Sequence, residues 1–326
     1  MLLASPWQWT SWGRPTKHHW MVARGADRNI APAMDPPAMG VRASREPKVL
    51  AKPVIKWAGG KSRLVPLILE RMPERFDVYF EPFVGGAAVF FALAREGRFK
   101  KAVLSDRNQE LVNVYRALKK DVDGVIAVLR DFKHEHDEYY RIRELRPEQL
   151  SPIEAAARTI YLNKTGYNGL YRVNRRGLFN VPFGRYKRPN FCDEPRLRAA
   201  STALKRVVLK VADFERACQS ATSADVVYFD PPYVPLSKTS NFTAYHHEVF
   251  GDDEHARLAR VFGELAKRKV TTILSNSDTE RTRELYRAWH VETVDVARPI
   301  NSRASARGVV SELLVVGKPR SRARRT

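Results

Sequence analysis

Asp230, Pro231, Pro232 and Tyr233 follow directly on an apolar, β-branched run, Val226-Val227-Tyr228-Phe229. The run reads as a strand buried on both faces. Two successive prolines cannot donate to a sheet ladder, so the chain must leave the sheet there. An acid, two rigid residues and an aromatic are thereby set at the carboxyl end of a central strand, where open α/β sheets hold ligands. The Asp230 carboxylate and the Pro231 carbonyl are two acceptors on a stiff frame, and Tyr233 offers a flat face to a planar ring. Such a set suits an exocyclic amino group on a heterocycle. A strand-ending Asp before a plain Pro-Pro turn is the other reading these four residues allow.

The amino nitrogen of an adenine-like ring is a poor nucleophile, because its lone pair is delocalised into the ring. Two acceptors drawing on its two hydrogens favour a pyramidal nitrogen, free the lone pair and stabilise the developing charge. The nitrogen can then attack a sulfonium methyl in line, provided both are held in near-attack geometry. The reaction requires no metal. In it Asp230 is an acceptor and not a strong general base.

Other segments must position these groups. Trp57-Ala58-Gly59-Gly60-Lys61-Ser62 ends like a P-loop, but that motif needs a glycine five residues before Gly60, and position 55 is Ile. The Gly-Gly turn still lets backbone approach an anionic ligand with Lys61 to pair it, or is simply a turn before a helix starting near Ser62. Val78-Tyr79-Phe80 runs through Glu81-Pro82-Phe83-Val84-Gly85-Gly86 into an apolar helix, as at the first junction of a Rossmann-like sheet. Its spacing is not that of a dinucleotide site. Val103-Leu104-Ser105 ends in Asp106, placed to hold the ribose hydroxyls of an adenosyl group. Leu111, Tyr115 and Leu118 then recur at helical spacing.

Between about 120 and 200 the pattern changes. Ser151-Pro152-Ile153-Glu154 carries a cap, a Pro in the first turn and a capping-box Glu, predicting a helix that ends near Asn163. Residues 164–188 interleave Lys and Arg with Tyr, Asn and Gly, a loop-rich surface able to contact phosphates, stack bases and read base edges. Gly166 and Gly169 would let this backbone approach a duplex closely. Strands are expected again at Val207-Val208-Leu209-Lys210-Val211, at Thr272-Ile273-Leu274-Ser275-Asn276 and at Glu312-Leu313-Leu314-Val315-Val316, with Leu258, Phe262 and Leu265 on a helix between. Strands alternating with helices make a mostly parallel, doubly wound α/β sheet.

The chain carries 57 Lys and Arg against 36 Asp and Glu, a formal net charge of +21 with a pI near 10.2. That balance points to a polyanion, nucleic acid before membrane. No apolar run approaches the roughly 18 residues of a membrane span. Cys192 and Cys218 lack metal-ligand spacing and read as reduced thiols of a cytoplasmic protein, without structural zinc. Residues 1–48 have no periodicity and read as a disordered basic tail, and 318–326 as a second one. Between them, 49–119 and 201–317 are expected to form the sheet core, with 120–200 an inserted target-recognition region.

In this order the pieces resemble the Dam family (D12 class) of site-specific DNA adenine-N6 methyltransferases, over roughly residues 52–317. The resemblance rests on Lys56-Trp57-Ala58-Gly59-Gly60-Lys61, Glu81-Pro82-Phe83-Val84-Gly85, Tyr167-Asn168-Gly169-Leu170, Val181-Pro182-Phe183-Gly184-Arg185-Tyr186-Lys187, Asp230-Pro231-Pro232-Tyr233 and Asn241-Phe242-Thr243-Ala244-Tyr245. It implies S-adenosyl-L-methionine as methyl donor, held around Trp57, Lys61, Phe83, Asp106, Phe214 and Asp230. Catalysis would fall to Asp230, Pro231 and Tyr233, with no metal. The partner implied is double-stranded DNA, methylated at the adenine of GATC after that base is turned out of the duplex. Lys56, Tyr167, Asn168, Leu170, Arg172, Pro182, Arg185 and Tyr186 match the DNA-contacting positions, with Arg172 suited to a guanine edge. Nothing calls for an obligate protein partner or a membrane. Where relatives often have Gly-Ala-Gly after the first strand, this chain has Gly85-Gly86-Ala87. Three alternatives remain at this level. They are the methylase of a restriction–modification pair with another recognition sequence, a methyltransferase of RNA or of a protein amide, and a non-catalytic DNA-binding module.

Overall fold

A computed structural model describes residues 49–234, 250–297 and 309–319. The expected tails up to 48 and beyond 319, and the 241–245 motif, lie outside the described residues.

Seven described strands form one sheet: β1 (Phe76–Glu81), β2 (Phe99–Asp106), β3 (Val207–Val211), β4 (Val226–Phe229), β5 (Thr271–Ser277), β6 (Trp289–Ala297) and β7 (Val309–Pro319). Their order is β3-β2-β1-β4-β5-β7-β6, parallel from β3 to β5, with β7 antiparallel to both neighbours. The helices are α1 (Val65–Glu70), α2 (Ala88–Glu96), α3 (Gln109–Lys120), α4 (Val122–Asp131), α5 (His136–Glu144), α6 (Pro152–Thr165), α7 (Glu194–Leu204), α8 (Phe214–Cys218), α9 (Asp252–Lys267) and α10 (Glu280–Leu285). This is the mostly parallel, Rossmann-like α/β fold that the alternation predicts.

Successive strand residues point to opposite faces, and both faces are covered. Tyr79, Leu104, Val226, Tyr228 and Leu314 join the core with Phe90, Tyr115 and Ile160 from α2, α3 and α6. Phe80, Val227, Phe229, Leu274 and Val315 pack with Leu258, Phe262 and Leu265 of α9 on the other face. All four residues of β4 are buried, as expected of a strand with helices on both sides. The β1–β4 pairing is where the strand order reverses, so the loops after these two strands diverge and open a crevice at their carboxyl ends.

The segment 120–200 is laid onto this sheet layer. Val125, Ile126, Ile160 and Leu162 share the cluster of Leu111 and Tyr115, and α7 already belongs to the crossover into β3. A buried knot secures it. Glu110 accepts from the Arg158 guanidinium (3.2 Å), the Thr159 hydroxyl (3.2 Å) and the Tyr171 hydroxyl (3.0 Å).

Two local expectations need correction, and one strand was not expected. Helix α1 begins at Val65, three residues past Ser62, because Lys61 to Leu64 form turns and Pro66 suits the first helical turn. Lys318 and Pro319 are strand and not tail, since β7 stays paired as far as Trp289↔Pro319. Strand β6 is absent from the sequence reading. His290, Glu292 and Asp295 break its apolar run, and as an edge strand it is stabilised through one neighbour only.

Candidate active site

The turn after β4 holds Asp230 one-fifth exposed, Pro231 buried and Pro232 exposed. Lys61 Nζ lies 2.8 Å from Asp230 Oδ1, and the Ser275 hydroxyl donates to that same oxygen at 3.1 Å. Among the described residues no donor reaches Oδ2 or the Pro231 carbonyl. Burial lifts Asp230 above the ordinary carboxylate range, while Lys61 and Ser275 pull it back. The Tyr233 ring lies 4.4 Å from the Lys61 ammonium, and its hydroxyl donates to Glu312 on β7. The Val234 N–H donates to Asn276 Oδ1 (3.1 Å), and the Ser277 hydroxyl to the Val234 carbonyl (2.6 Å). Neighbouring strands thus fix the whole turn.

On the side expected for the donor, the Trp57 ring packs on Gly85. A Cβ there would lie 2.8 Å from Trp57 Cδ1, and φ of +44° also demands glycine. Trp57 packs against Tyr171 with the rings tilted by 31° and their centres 5.2 Å apart. The loop after β1 runs beside the end of β2 through Val84 N–H to the Ser105 carbonyl (2.9 Å). Asp106 accepts from the N–H groups of Gly85 (3.3 Å) and Asn108 (2.9 Å), which orients its carboxylate. Half-buried Phe83 stacks on Phe214 at 5.5 Å. Phe214 is 1% exposed and meets the Arg257 guanidinium 4.0 Å from its ring centre, so it backs Phe83 instead of offering an open face. An oriented carboxylate, a half-exposed aromatic and a glycine turn fit an adenosyl donor. Lys61 is engaged by Asp230 and by the Gly59 carbonyl.

On the side expected for DNA, α6 carries the capping box foreseen, Ser151 and Glu154 each bonding the other's backbone N–H. Near its end, buried Asn163 accepts from Lys56 N–H (2.7 Å) and donates to the carbonyls of Lys56 (2.8 Å) and Gly169 (3.0 Å). One side chain thereby clamps two loops. The Lys56 ammonium sits 5.0 Å from the centre of the half-buried Tyr186 ring. Tyr167 and Asn168 are exposed and Leu170 half-buried, and the Tyr167 N–H donates to the Pro182 carbonyl (2.9 Å). Arg172, Pro182 and Arg185 are exposed. Arg172 is braced across a hairpin closed by Val173 and Phe179, its Nε and Nη2 donating to Asn180 Oδ1 (2.7 Å) and Asn180 O (3.1 Å). The glycines also have a reason within the fold. A Cβ on Gly166 would stand 2.6 Å from the Leu162 carbonyl of α6, and one on Gly169, where φ is +64°, 2.3 Å from Lys56 Cδ.

Sequence reasoning missed Ser275, Asn276, Ser277 and Glu312, which come from β5 and β7, and Tyr228, read only as strand. It also missed Glu81, buried at the end of β1 with Oε2 unpartnered among the described residues. Burial and the Asp230 carboxylate push Glu81 well above the usual range. Ser275 and Asn276 were legible as polar residues ending an apolar strand, beside which ligands sit in such sheets. Among the described residues no three His, Cys, Asp or Glu side chains are grouped to hold a metal ion, and no helix is long and apolar enough to cross a membrane.

The fold is a Rossmann-like sheet with two acceptors, Asp230 and the Pro231 carbonyl, at its switch point, and the comparisons with known proteins give the family. The family model of the D12 class N6 adenine-specific DNA methyltransferases matches residues 57–300. The chain belongs to that family and is a DNA adenine methyltransferase. It is 40% identical over 276 residues to the type II methyltransferase M1.LlaDCHI of Lactococcus lactis subsp. cremoris, covering 82% of this chain and 96% of that one. It is 40% identical over 284 residues to the type II methyltransferase M.MjaIII of Methanocaldococcus jannaschii, covering 81% and 98%. The DNA adenine methylase of Escherichia coli K12 is 38% identical over 269 residues, covering 81% and 95%.

Proposed function

We propose that this enzyme moves a methyl group from S-adenosyl-L-methionine to the N6 amino group of adenine within GATC in double-stranded DNA, with Asp230, Pro231 and Tyr233 at the reacting centre. The observation that carries the reading is the pair of acceptors, Asp230 Oδ2 and the Pro231 carbonyl, that no donor among the described residues takes. Each accepts one hydrogen of the amino group, and the nitrogen lone pair is released from the ring. Tyr233, held by Glu312, offers the face against which a base turned out of the duplex stacks. The bound donor supplies the electrophilic methyl. Asp106 would take its ribose hydroxyls, and Trp57 and Phe83, the latter backed by Phe214, would build the apolar walls. Once the methyl is transferred, the nitrogen's excess proton leaves to water through the acceptor that holds it.

The Asn163 clamp supports a joint role for the two loops it ties, with Lys56 joining Tyr167, Asn168, Leu170, Arg172, Pro182, Arg185 and Tyr186 of 120–200 to form the DNA surface. Chromosomal DNA as substrate places the work in the cytoplasm. Two relatives named as type II methyltransferases favour a second reading, the methylase of a restriction–modification pair with another target. Methylation of a plasmid, mapped with nucleases that distinguish methylated from unmethylated GATC, tests the first. Modification at GATC is expected. Incorporation of methyl groups with every GATC unmodified would transfer the case to the second.

A further inference from the structure

We infer that Ser275, backed by Tyr228, is a positioning pair that fixes Asp230 so that Oδ1 stays inside the protein and Oδ2 faces the target amino group. The inference rests on Asp230 being the catalytic acceptor proposed above. Its ground is a hydrogen-bonded chain between the neighbouring strands β4 and β5. Tyr228 is fully buried on β4, Ser275 is fully buried next to it on β5, and their hydroxyl oxygens are 2.8 Å apart. Ser275 donates its single proton to Asp230 Oδ1 at 3.1 Å. Its oxygen is therefore an acceptor toward Tyr228, and the Tyr228 hydroxyl must be the donor of that pair. The direction of the chain is set: Tyr228 to Ser275 to Asp230.

An Asp side chain at a turn can rotate and present either oxygen. Here two donors converge on the same one, Lys61 from the loop before α1 and Ser275 from β5. The lysine ends a flexible stem, whereas Ser275 sits on a strand paired on both sides with a buried tyrosine behind it. The serine is the rigid member. With Oδ1 held, Oδ2 and the Pro231 carbonyl are left to the two amino hydrogens, and misalignment of either would weaken charge stabilisation in the transition state more than in the ground state.

The full-length enzyme is tested as Ser275→Ala, Tyr228→Phe, the double variant and Asp230→Ala, by steady-state and single-turnover methyl transfer to duplex DNA. Ser275→Ala should lower kcat about tenfold, with KM for DNA and for the donor within twofold. Loss of a bond that favours the ionised carboxylate should also move the acidic limb of its kcat profile to higher pH. Tyr228→Phe should show a smaller loss of the same kind, and the double variant should be no slower than Ser275→Ala, since Tyr228 acts through Ser275. A Ser275→Ala enzyme with wild-type kcat and an unmoved acidic limb, beside an inactive Asp230→Ala, would overturn the positioning role alone. Near wild-type transfer by Asp230→Ala would overturn the catalytic reading and this inference with it. Losses in Ser275→Ala and Tyr228→Phe that multiply in the double variant would overturn the ordered chain.

Discussion

The ammonium of Lys61 lies 2.8 Å from Asp230 Oδ1 and 4.4 Å from the centre of the Tyr233 ring. A cation thus stands among the groups that are to receive the adenine amino group, and it is 5% exposed. The ammonium favours the ionised form of a partly buried carboxylate. Burial first, and the Glu312 carboxylate after it, raise Asp230, and Lys61 is the largest opposing influence.

The pH dependence follows with a definite sign. In the proposed mechanism transfer requires ionised Asp230, whose ionisation lies above the ordinary carboxylate value, so kcat should fall as pH drops through that raised value. Lys61→Met removes the opposing charge and should shift the acidic limb further up, slowing transfer most at the acid end. Profiles of kcat against pH for the two enzymes check this. Superimposable limbs would show that Lys61 has no hold on Asp230.

Arg172 is exposed and braced by Asn180 through Nε and Nη2. If its guanidinium reads a guanine, Arg172→Ala should cost about 1–3 kcal/mol at one base pair and relax specificity there. Initial rates on GATC and its single-base variants, at two salt concentrations, measure the effect. One common factor of loss on all substrates, with a smaller salt slope, would identify a phosphate contact instead.

Ala87 stands in the left-handed region (φ 57°) at the N-cap of α2, 1% exposed. This is the position where the resembling sequences often have glycine. A non-glycine residue there is strained by roughly 1–2 kcal/mol, partly offset by the entropy that glycine loses on folding. Ala87→Gly should therefore stabilise the protein by about 0.5–1 kcal/mol with little change in turnover. Denaturant unfolding of both proteins decides it, and a destabilised variant would contradict the strain.

Asn163→Ala would leave the Lys56 N–H and the carbonyls of Lys56 and Gly169 without their clamp. Each buried group stripped of its partner costs about 1–3 kcal/mol, so lower thermal stability is expected. If both loops belong to the proposed DNA surface, KM for DNA should rise more than KM for the donor. Equal changes in the two constants would place the clamp outside recognition.

What could be read in the sequence, and what could not, divides along physical lines. Four apolar residues closed by Pro-Pro identify β4 and its acid without any partner, because burial on both faces leaves a local signature. Asp106 at the end of β2 and the capping box of α6 are equally local. The groups that hold the turn are not. Ser275 and Glu312 reach it through the β4–β5 and β5–β7 pairings, and the place of β7 between β5 and β6 has no mark in either strand. The glycines of the 166–169 loop were legible as necessary, but the neighbours that make them so, Leu162 and Lys56, emerge only from packing.

The central claim is that Asp230 accepts from the adenine amino group as it becomes a nucleophile. Transfer of tritium-labelled methyl from the donor to DNA by Asp230→Ala, with folding verified by its thermal transition, tests this most directly. Losing one such acceptor should cut the rate at least ~100-fold while the protein stays folded. Transfer within a few-fold of wild type would contradict the account.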